Sequence, residues 1–236
     1  MAEHELIVVE DPAALARAAA DLFAEQARAA ASARGAFHVA LSGGDTPRSI
    51  YSLLATGRYA DLPWASTHVY WGDERCVPRE HPESNYRMAR ELLLSKVPVP
   101  EAQVHPMPVS ADGADDYERA LRAALTRLDL VLLGLGADGH TASLFPGDPA
   151  VSESRRCVAA ARAPSRPEAR LTLTVPALNS ARMLLFVVSG RKKAKALSRA
   201  LKGGAPAGLL EPADGRLLFL ADRSAVDQAG ERHDPA

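Results

Sequence analysis

The sequence predicts an α/β fold with a mostly parallel sheet and helices on both faces, as in Rossmann-like proteins. Short apolar runs of strand length alternate with helical segments of ten or more residues, which is the pattern of βαβ units. Glycine-rich turns follow several of the apolar runs, as at residues 41–44 and 133–136. Because the 236 residues contain no evident repeat, low-complexity tract or linker, we expect a single domain over residues 1–236.

The first half of the chain is expected to hold three strands and three helices. Asp11, followed by proline, is a typical N-cap for a long alanine-rich helix that ends before Gly35. Thr46 and the proline after it predict a second helix start, and Ser84 is the expected cap of a third helix. The predicted strands are residues 6–9, 37–41 and 67–71, and the predicted helices are residues 12–33, 46–54 and 84–94.

The second half continues the alternation of helices and strands. A predicted helix over residues 112–127 leads into a buried strand over residues 128–133. Asp222 is the expected cap of a closing helix. The other predicted elements are strands at residues 156–161, 170–175, 182–188 and 217–220, and a helix at residues 192–201.

Composition excludes several classes of protein. The formal net charge is -1, with 28 Lys+Arg against 29 Asp+Glu, so nothing in the charge favours nucleic acid as a partner. The sequence lacks an apolar run near the ~20 residues that span a bilayer, and its acidic amino terminus does not resemble a signal peptide. We therefore expect a cytoplasmic protein in which Cys76 and Cys157 are free thiols.

The most informative segment is residues 134–147, which follow a strand and contain four glycines. It places Asp138 two residues before His140, close enough for the carboxylate to orient the imidazole. In an open α/β sheet, ligands bind beyond the carboxyl ends of strands, where this turn is expected. His140 is therefore a candidate general base, although a purely structural turn histidine is the alternative.

A second glycine-containing turn, at residues 42–46, also follows a strand and opens a helix. Gly43 and Gly44 would let backbone N–H groups approach an anion, and Ser42 and Thr46 would add hydroxyl donors. The turn matches neither a Walker A loop nor a dinucleotide fingerprint. A tight strand-to-helix turn without a ligand stays open as the alternative.

Two further groups of polar residues lie at expected strand ends. Asp73 and Arg75 close the third strand, and Asn85 opens the helix downstream. Lys193 belongs to a run of cations at the start of a helix, where the dipole disfavours positive charge unless an anion is bound. A surface salt-bridge cluster and a solvated basic face are the alternatives. The seven histidines show no metal-ligand spacing, so we expect no metal site.

Taken together, four segments resemble the 6-phosphogluconolactonase family, in the same order along the chain. They are residues 41–47 (LSGGDTP), 71–75 (WGDER), 134–147 (GLGADGHTASLFPG) and 190–194 (GRKKA). The third segment is highly specific, whereas the first two are shared with glucosamine-6-phosphate deaminases. The resemblance covers nearly the whole chain and implies a fold related to those deaminases and to ribose-5-phosphate isomerase.

The resemblance implies hydrolysis of 6-phospho-D-glucono-1,5-lactone in the oxidative pentose phosphate pathway, without a metal or organic cofactor. It makes His140 the catalytic base with Asp138 beside it. The implied substrate-binding residues are Ser42, Gly43, Gly44, Thr46, Asp73, Arg75, Asn85 and Lys193. The expected partner is the small lactone alone, with no nucleic acid or membrane, and the expected state is a monomer or weak homodimer.

Two alternatives are weighed against this interpretation. An amino-sugar-phosphate deaminase of the same fold has glutamate before the proline that follows the histidine turn, whereas this chain has Phe145 before Pro146. The deaminases also have tyrosine at the position of Arg75. A non-enzymatic sugar-phosphate sensor would need a DNA-binding segment, for which 236 residues leave no room.

Overall fold

A parallel sheet forms the centre of the protein, whose computed structural model describes residues 4–110, 112–124 and 127–226. All neighbouring strands in this six-stranded sheet run in the same direction, so their carboxyl ends lie along one edge. In spatial order the strands are β1 (His4–Val9), β9 (Arg216–Asp222), β8 (Met183–Val188), β5 (Leu130–Leu133), β2 (Phe37–Leu41) and β3 (Thr67–Trp71). The predicted mostly parallel α/β sheet is confirmed.

Helices flank this sheet and bury their apolar residues against it. In the longest helix, Phe23 is buried and meets Phe37 of β2 edge-to-face, with 5.2 Å between ring centroids. Asp11 caps this helix as predicted, accepting the N–H of Ala14 at 2.7 Å. The helices are α1 (Pro12–Arg34), α2 (Asp45–Leu54), α3 (Asn85–Ala89), α4 (Gly113–Ala124), α5 (Val175–Asn179), α6 (Ala194–Ala200) and α7 (Arg223–Val226).

A second, antiparallel sheet lies next to the carboxyl end of β3. It contains β4 (Asp73–Arg75), β7 (Ala169–Leu173) and β6 (Val158–Arg162). Gly72 alone separates β3 from β4, so the chain passes directly from one sheet into the other. The short predicted strands near residues 156–161 and 170–175 therefore exist, but they pair antiparallel outside the main sheet.

The start of α2 differs from the sequence-based expectation that Thr46 caps this helix. The helix begins one residue earlier, at Asp45, and its N-cap is Gly44, which makes no side-chain capping bond. Thr46 is thus the second residue of the helix, where its hydroxyl is past the capping position. The prediction of Thr46 as an N-cap was wrong.

The other predicted helices are present with adjusted bounds. Ser84 caps α3 through the N–H of Arg87 at 3.1 Å, and a π-helical turn at Arg90–Leu94 continues it. Leu125 and Thr126 of the predicted helix over residues 112–127 lie outside the described residues. Asp222 caps α7 as predicted, accepting the N–H of Ala225 at 2.9 Å, and residues 227–236 also lie outside the description.

The order of the strands creates a crevice at the carboxyl edge. From β2 the chain moves outward to β3, and it later returns to β5 on the other side of β2. The carboxyl ends of β2 and β5 therefore lead to loops that diverge, which is where ligands bind in open α/β sheets. Within the described ranges, no helix is long and apolar enough to cross a membrane.

Candidate active site

A cavity of about 410 Å³ opens at this crevice, beyond the carboxyl ends of the central strands and beside β4. Its volume suits a small molecule rather than a polymer. Its lining includes nine of the ten residues that the sequence predicted for the site: Ser42, Gly43, Gly44, Thr46, Asp73, Arg75, Asn85, His140 and Lys193. The tenth, Asp138, reaches the cavity through His140.

Asp138 and His140 form a hydrogen-bonded pair on the turn after β5. Nδ1 of His140 lies 2.6 Å from Oδ1 of Asp138, and the same oxygen accepts the backbone N–H of His140 at 3.1 Å. Burial raises the pKa of Asp138, but the hydrogen bonds and charge of His140 outweigh this, so the pKa lies below its usual value. An ionised Asp138 holds the imidazole proton on Nδ1 and leaves Nε2 to accept a proton.

Glycine at position 136 is required for this pair to form. A Cβ at Gly136 would lie 2.1 Å from Nδ1 of His140 and 2.5 Å from Oδ1 of Asp138. The turn is closed by hydrogen bonds from the N–H of Gly136 to the carbonyl of His140 at 2.8 Å and from Gly139 to Gly136 at 3.0 Å. On the cavity side, the ring of Phe145 packs against the imidazole, with 4.7 Å between centroids.

The turn after β2 presents unpaired donors to the cavity. The hydroxyl of the buried Tyr51 bonds both the N–H of Ser42 at 3.0 Å and its carbonyl at 2.8 Å, which fixes the turn. The Ser42 hydroxyl is itself buried, yet it has no hydrogen-bond partner among the described residues. Because α2 has no side-chain cap, its first N–H groups and this hydroxyl could both donate to an anion.

Two arginines face each other across the antiparallel sheet. Arg75 on β4 and Arg170 on β7 are direct register partners, and both line the cavity. Arg170 is only 7% exposed, and burial together with the charge of Arg75 lowers its pKa. Like charges directly opposite each other destabilise a sheet, so an anion between them would relieve the repulsion. Lys193 adds a third cation from the segment after β8.

A buried network joins the two sheets below these cations. Oδ2 of Asp73 accepts a hydrogen bond from Oγ of Ser143 at 2.6 Å, and the side-chain amide of Asn85 donates to the Asp73 carbonyl at 2.9 Å. Arg75 in turn donates to Oδ1 of Asn85. Asn85 is 1% exposed, so its amide orients Asp73 and Arg75 with little surface left for a ligand.

Glu74 holds the start of α3 in this arrangement. Its carboxylate accepts the backbone N–H groups of Asn85 at 2.7 Å and Tyr86 at 2.8 Å. Burial raises the pKa of Glu74, although these hydrogen bonds act in the opposite direction. The helix start that carries Asn85 is thereby fixed to β4.

Sequence reasoning missed Arg170 and Ser143 as lining residues. Ser143 lies within the segment 134–147 but was overlooked beside His140. Arg170 has no local signal, because its role depends on being paired with Arg75 across the sheet. The two free cysteines lie outside the cavity lining, and burial raises the pKa of both thiols.

The parallel sheet, the crevice at its switch point and the histidine–carboxylate pair define an α/β protein with a candidate acid–base site at the carboxyl edge of its sheet. Residues 10–219 match the family described as glucosamine-6-phosphate isomerases/6-phosphogluconolactonase. The chain belongs to this family.

Comparisons with individual proteins agree with this assignment. A 6-phosphogluconolactonase from Synechocystis is 43% identical over 218 residues, covering 86% of this chain and 87% of the relative. The structure of 6-phosphogluconolactonase from Trypanosoma brucei superposes with a TM-score of 0.88 at 27% identity, covering 97% of this chain and 100% of the other. A monomeric glucosamine-6-phosphate deaminase, with a TM-score of 0.81 at 21% identity over 94% of this chain and 98% of the other, shares the fold.

Proposed function

We propose that this protein hydrolyses 6-phospho-D-glucono-1,5-lactone to 6-phospho-D-gluconate, the second step of the oxidative pentose phosphate pathway. The observation that carries the proposal is the Asp138–His140 pair at the cavity, with Phe145 beside it in place of an ionisable group. The name of the Synechocystis relative supports the same activity.

In the proposed mechanism, His140 removes a proton from a water molecule as that water attacks the lactone carbonyl carbon. Nε2 is the accepting atom, because Asp138 holds the Nδ1 proton. The carbonyl oxygen becomes an oxyanion, which backbone N–H groups of the glycine-rich turns can stabilise. The ring C–O bond then breaks, and the protonated His140 returns its proton to the departing ring oxygen. General acid–base catalysis of this kind contributes about 10²–10⁴-fold.

The substrate phosphate is held at a distance from the reacting carbon. Arg75, Arg170 and Lys193 provide the positive charge, and the Ser42 hydroxyl with the first N–H groups of α2 provides further donors. Fixing the phosphate places the lactone carbonyl in front of His140, which lowers the entropic cost of the attack. No nucleophilic side chain is needed, since the lactone is already reactive toward water.

A deaminase activity on the same fold is the second candidate and fits this site less well. Opening an amino-sugar ring requires a group that moves a proton to the ring oxygen. Phe145, which is 7% exposed and lies against His140, cannot move a proton. A non-enzymatic sugar-phosphate sensor would not need the Asp138–His140 pair, because it transfers no proton.

The remaining parts of the proposal concern the state of the protein. We infer that the chain acts as a single domain, in the cytoplasm, as a monomer or weak homodimer, without a cofactor. Light scattering coupled to size-exclusion chromatography tests the oligomeric state. A stable larger assembly would contradict it.

The deciding experiment uses two assays on one preparation. Lactone hydrolysis is measured on freshly generated 6-phosphogluconolactone and corrected for the spontaneous rate, while ammonia release is measured on glucosamine 6-phosphate. We expect hydrolysis well above background and no ammonia. Ammonia release without lactone hydrolysis would overturn the proposal in favour of a deaminase, and neither activity would favour the sensor.

A further inference from the structure

The turn that carries Asp138 and His140 is contacted by a distant part of the chain. Arg199, near the end of α6, directs Nη2 to two successive backbone carbonyls of this turn. The distances are 3.1 Å to the oxygen of Asp138 and 3.4 Å to that of Ala137. One guanidinium group thus bonds both peptide planes on the amino side of Gly139.

The loop after α6 contacts the same turn at Gly139. The N–H of Ala207 donates to the Gly139 carbonyl at 3.2 Å. A Cβ at Gly139 would lie 2.4 Å from Cβ of Ala205, which itself has a left-handed φ of 63°. The loop and the turn are therefore packed together without space for a side chain at position 139.

The hydrogen bonds that close the turn lie within it, so these outside contacts are what tie its exposed residues to α6 and the loop after it. Ala137 and Asp138 are exposed, and glycines at positions 136 and 139 give the backbone on either side unusual freedom. The carboxylate of Asp138 can orient His140 only if its own backbone is fixed, since both belong to the same short turn.

We propose that Arg199 is a positioning residue for the Asp138–His140 pair. It fixes the backbone carbonyls of residues 137 and 138, and this maintains the hydrogen bond between the Asp138 carboxylate and Nδ1 of His140. The effect on turnover rests on the proposed function, whereas the effect on the hydrogen bond between the two side chains does not. Arg199 itself is absent from the cavity lining and touches the turn only through its backbone carbonyls in the described contacts.

The kinetic test compares Arg199→Gln with Lys195→Gln, a matched change at an exposed position of the same helix. We expect Arg199→Gln to lower kcat by about tenfold with KM nearly unchanged, because substrate contacts stay while the base is misoriented. Lys195→Gln should behave as the wild type. Arg199→Lys, which keeps a charged N–H donor on a shorter side chain, should recover part of the loss in kcat.

A spectroscopic test does not depend on catalysis. The Nδ1 proton of His140, assigned by its absence in His140→Gln, should give a downfield NMR resonance in the wild type. It should broaden by faster exchange with water in Arg199→Gln but not in Lys195→Gln. Wild-type kcat and an unchanged resonance in Arg199→Gln would overturn the proposal, and so would equal losses in the two variants. If the wild type failed to hydrolyse the lactone, the proposed function would fail while this resonance still decided the role of Arg199.

Discussion

The two sheets contribute to the site in different ways. The parallel sheet supplies turns, because each of β2, β5 and β8 ends at the same edge and continues into a loop facing the cavity. The antiparallel sheet supplies side chains directly from its strands, since Asp73 and Arg75 lie on β4 and Arg170 lies opposite on β7. Backbone donors, the base and the cation Lys193 come from the first, and the facing arginines come from the second.

In the proposed mechanism, the turn that carries His140 serves the chemistry, and the facing arginines serve recognition together with Ser42 and Lys193. A turn with glycines can place an imidazole and backbone N–H groups around a reacting carbon, but it is mobile unless other segments hold it. A paired strand holds its side chains in register and can keep two arginines facing each other. Changes on the turn that carries His140 should therefore lower turnover, and changes of the facing arginines on the antiparallel sheet should weaken substrate binding.

The largest effect is expected for the base on the parallel-sheet side. His140→Ala should lose about 10²-fold or more in kcat, because Nε2 is the acceptor for the proton of the attacking water. Circular dichroism and thermal unfolding should resemble those of the wild type, since the side chain is part-exposed. A folded variant with near-normal turnover would remove His140 from the mechanism.

A smaller effect, on KM rather than on kcat, is expected for the facing arginines Arg75 and Arg170. Arg170→Ala and Arg75→Ala should each raise KM for the phosphorylated lactone by about 10- to 100-fold through loss of charge-assisted hydrogen bonds. Arg166→Ala, at an exposed position beside β7, is the matched control and should change little. Equal losses on unphosphorylated gluconolactone would show that neither arginine reads the phosphate, and would break the division between the sheets.

The junction between the sheets should respond more weakly. Ser143→Ala removes the hydrogen bond to Asp73 and leaves that buried carboxylate short of a donor, which costs about 1–3 kcal/mol of stability. We expect a few-fold loss of kcat/KM. Urea unfolding of the same samples measures the loss of stability. Ser49→Ala, on the exposed side of α2, controls for the loss of a hydroxyl. An unchanged unfolding midpoint would mean that the network does not couple the sheets.

The smallest effect is expected away from the site, in a stack of three histidines beside β2 and β3. Ring centroids lie 4.7 Å apart for His38 and His68, and 5.6 Å apart for His68 and His105. Burial lowers the pKa of all three. The charges of His68 and Arg34 lower the pKa of His38 further, whereas Asp129 raises it, and the charges of His68 and His38 lower the pKa of His105.

The direction of the pH effect follows from these lowered values. Well above about pH 6.5 the rings are neutral in both folded and unfolded chains, so their titration does not affect stability there. As the pH falls from about 6.5 toward the folded pKa values, the unfolded chain binds more protons and stability is lost. Tm measured between about pH 8 and pH 5 should therefore fall at the acidic end, and His68→Gln should flatten this fall. If Tm fell with pH as steeply in His68→Gln as in the wild type, the histidine stack would be excluded as the cause of the fall.

The sequence was sufficient to predict the parallel sheet and most of the candidate residues that the structure brings together at the cavity. Strand ends followed by glycines are local signals, and they identified Ser42, Asp138 and His140. Arg170 could not be found this way, because pairing with Arg75 brings together residues 95 positions apart and neither neighbourhood indicates the other. The capping role expected for Thr46 failed because Gly44 already provides the first turn with its starting geometry.

The position of β9 has a consequence for how the protein is made. Among the described strands, β1 pairs only with β9, which lies between β1 and β8. Asp222, at the end of β9, also accepts the N–H of Gly190 at 3.1 Å, just before the segment that carries Lys193. During synthesis, β1 must therefore wait without its pairing strand until residues 216–222 leave the ribosome. A nascent chain arrested before Arg216 should remain sensitive to protease, because β1 and β8 both lack their neighbour β9 until that strand is made.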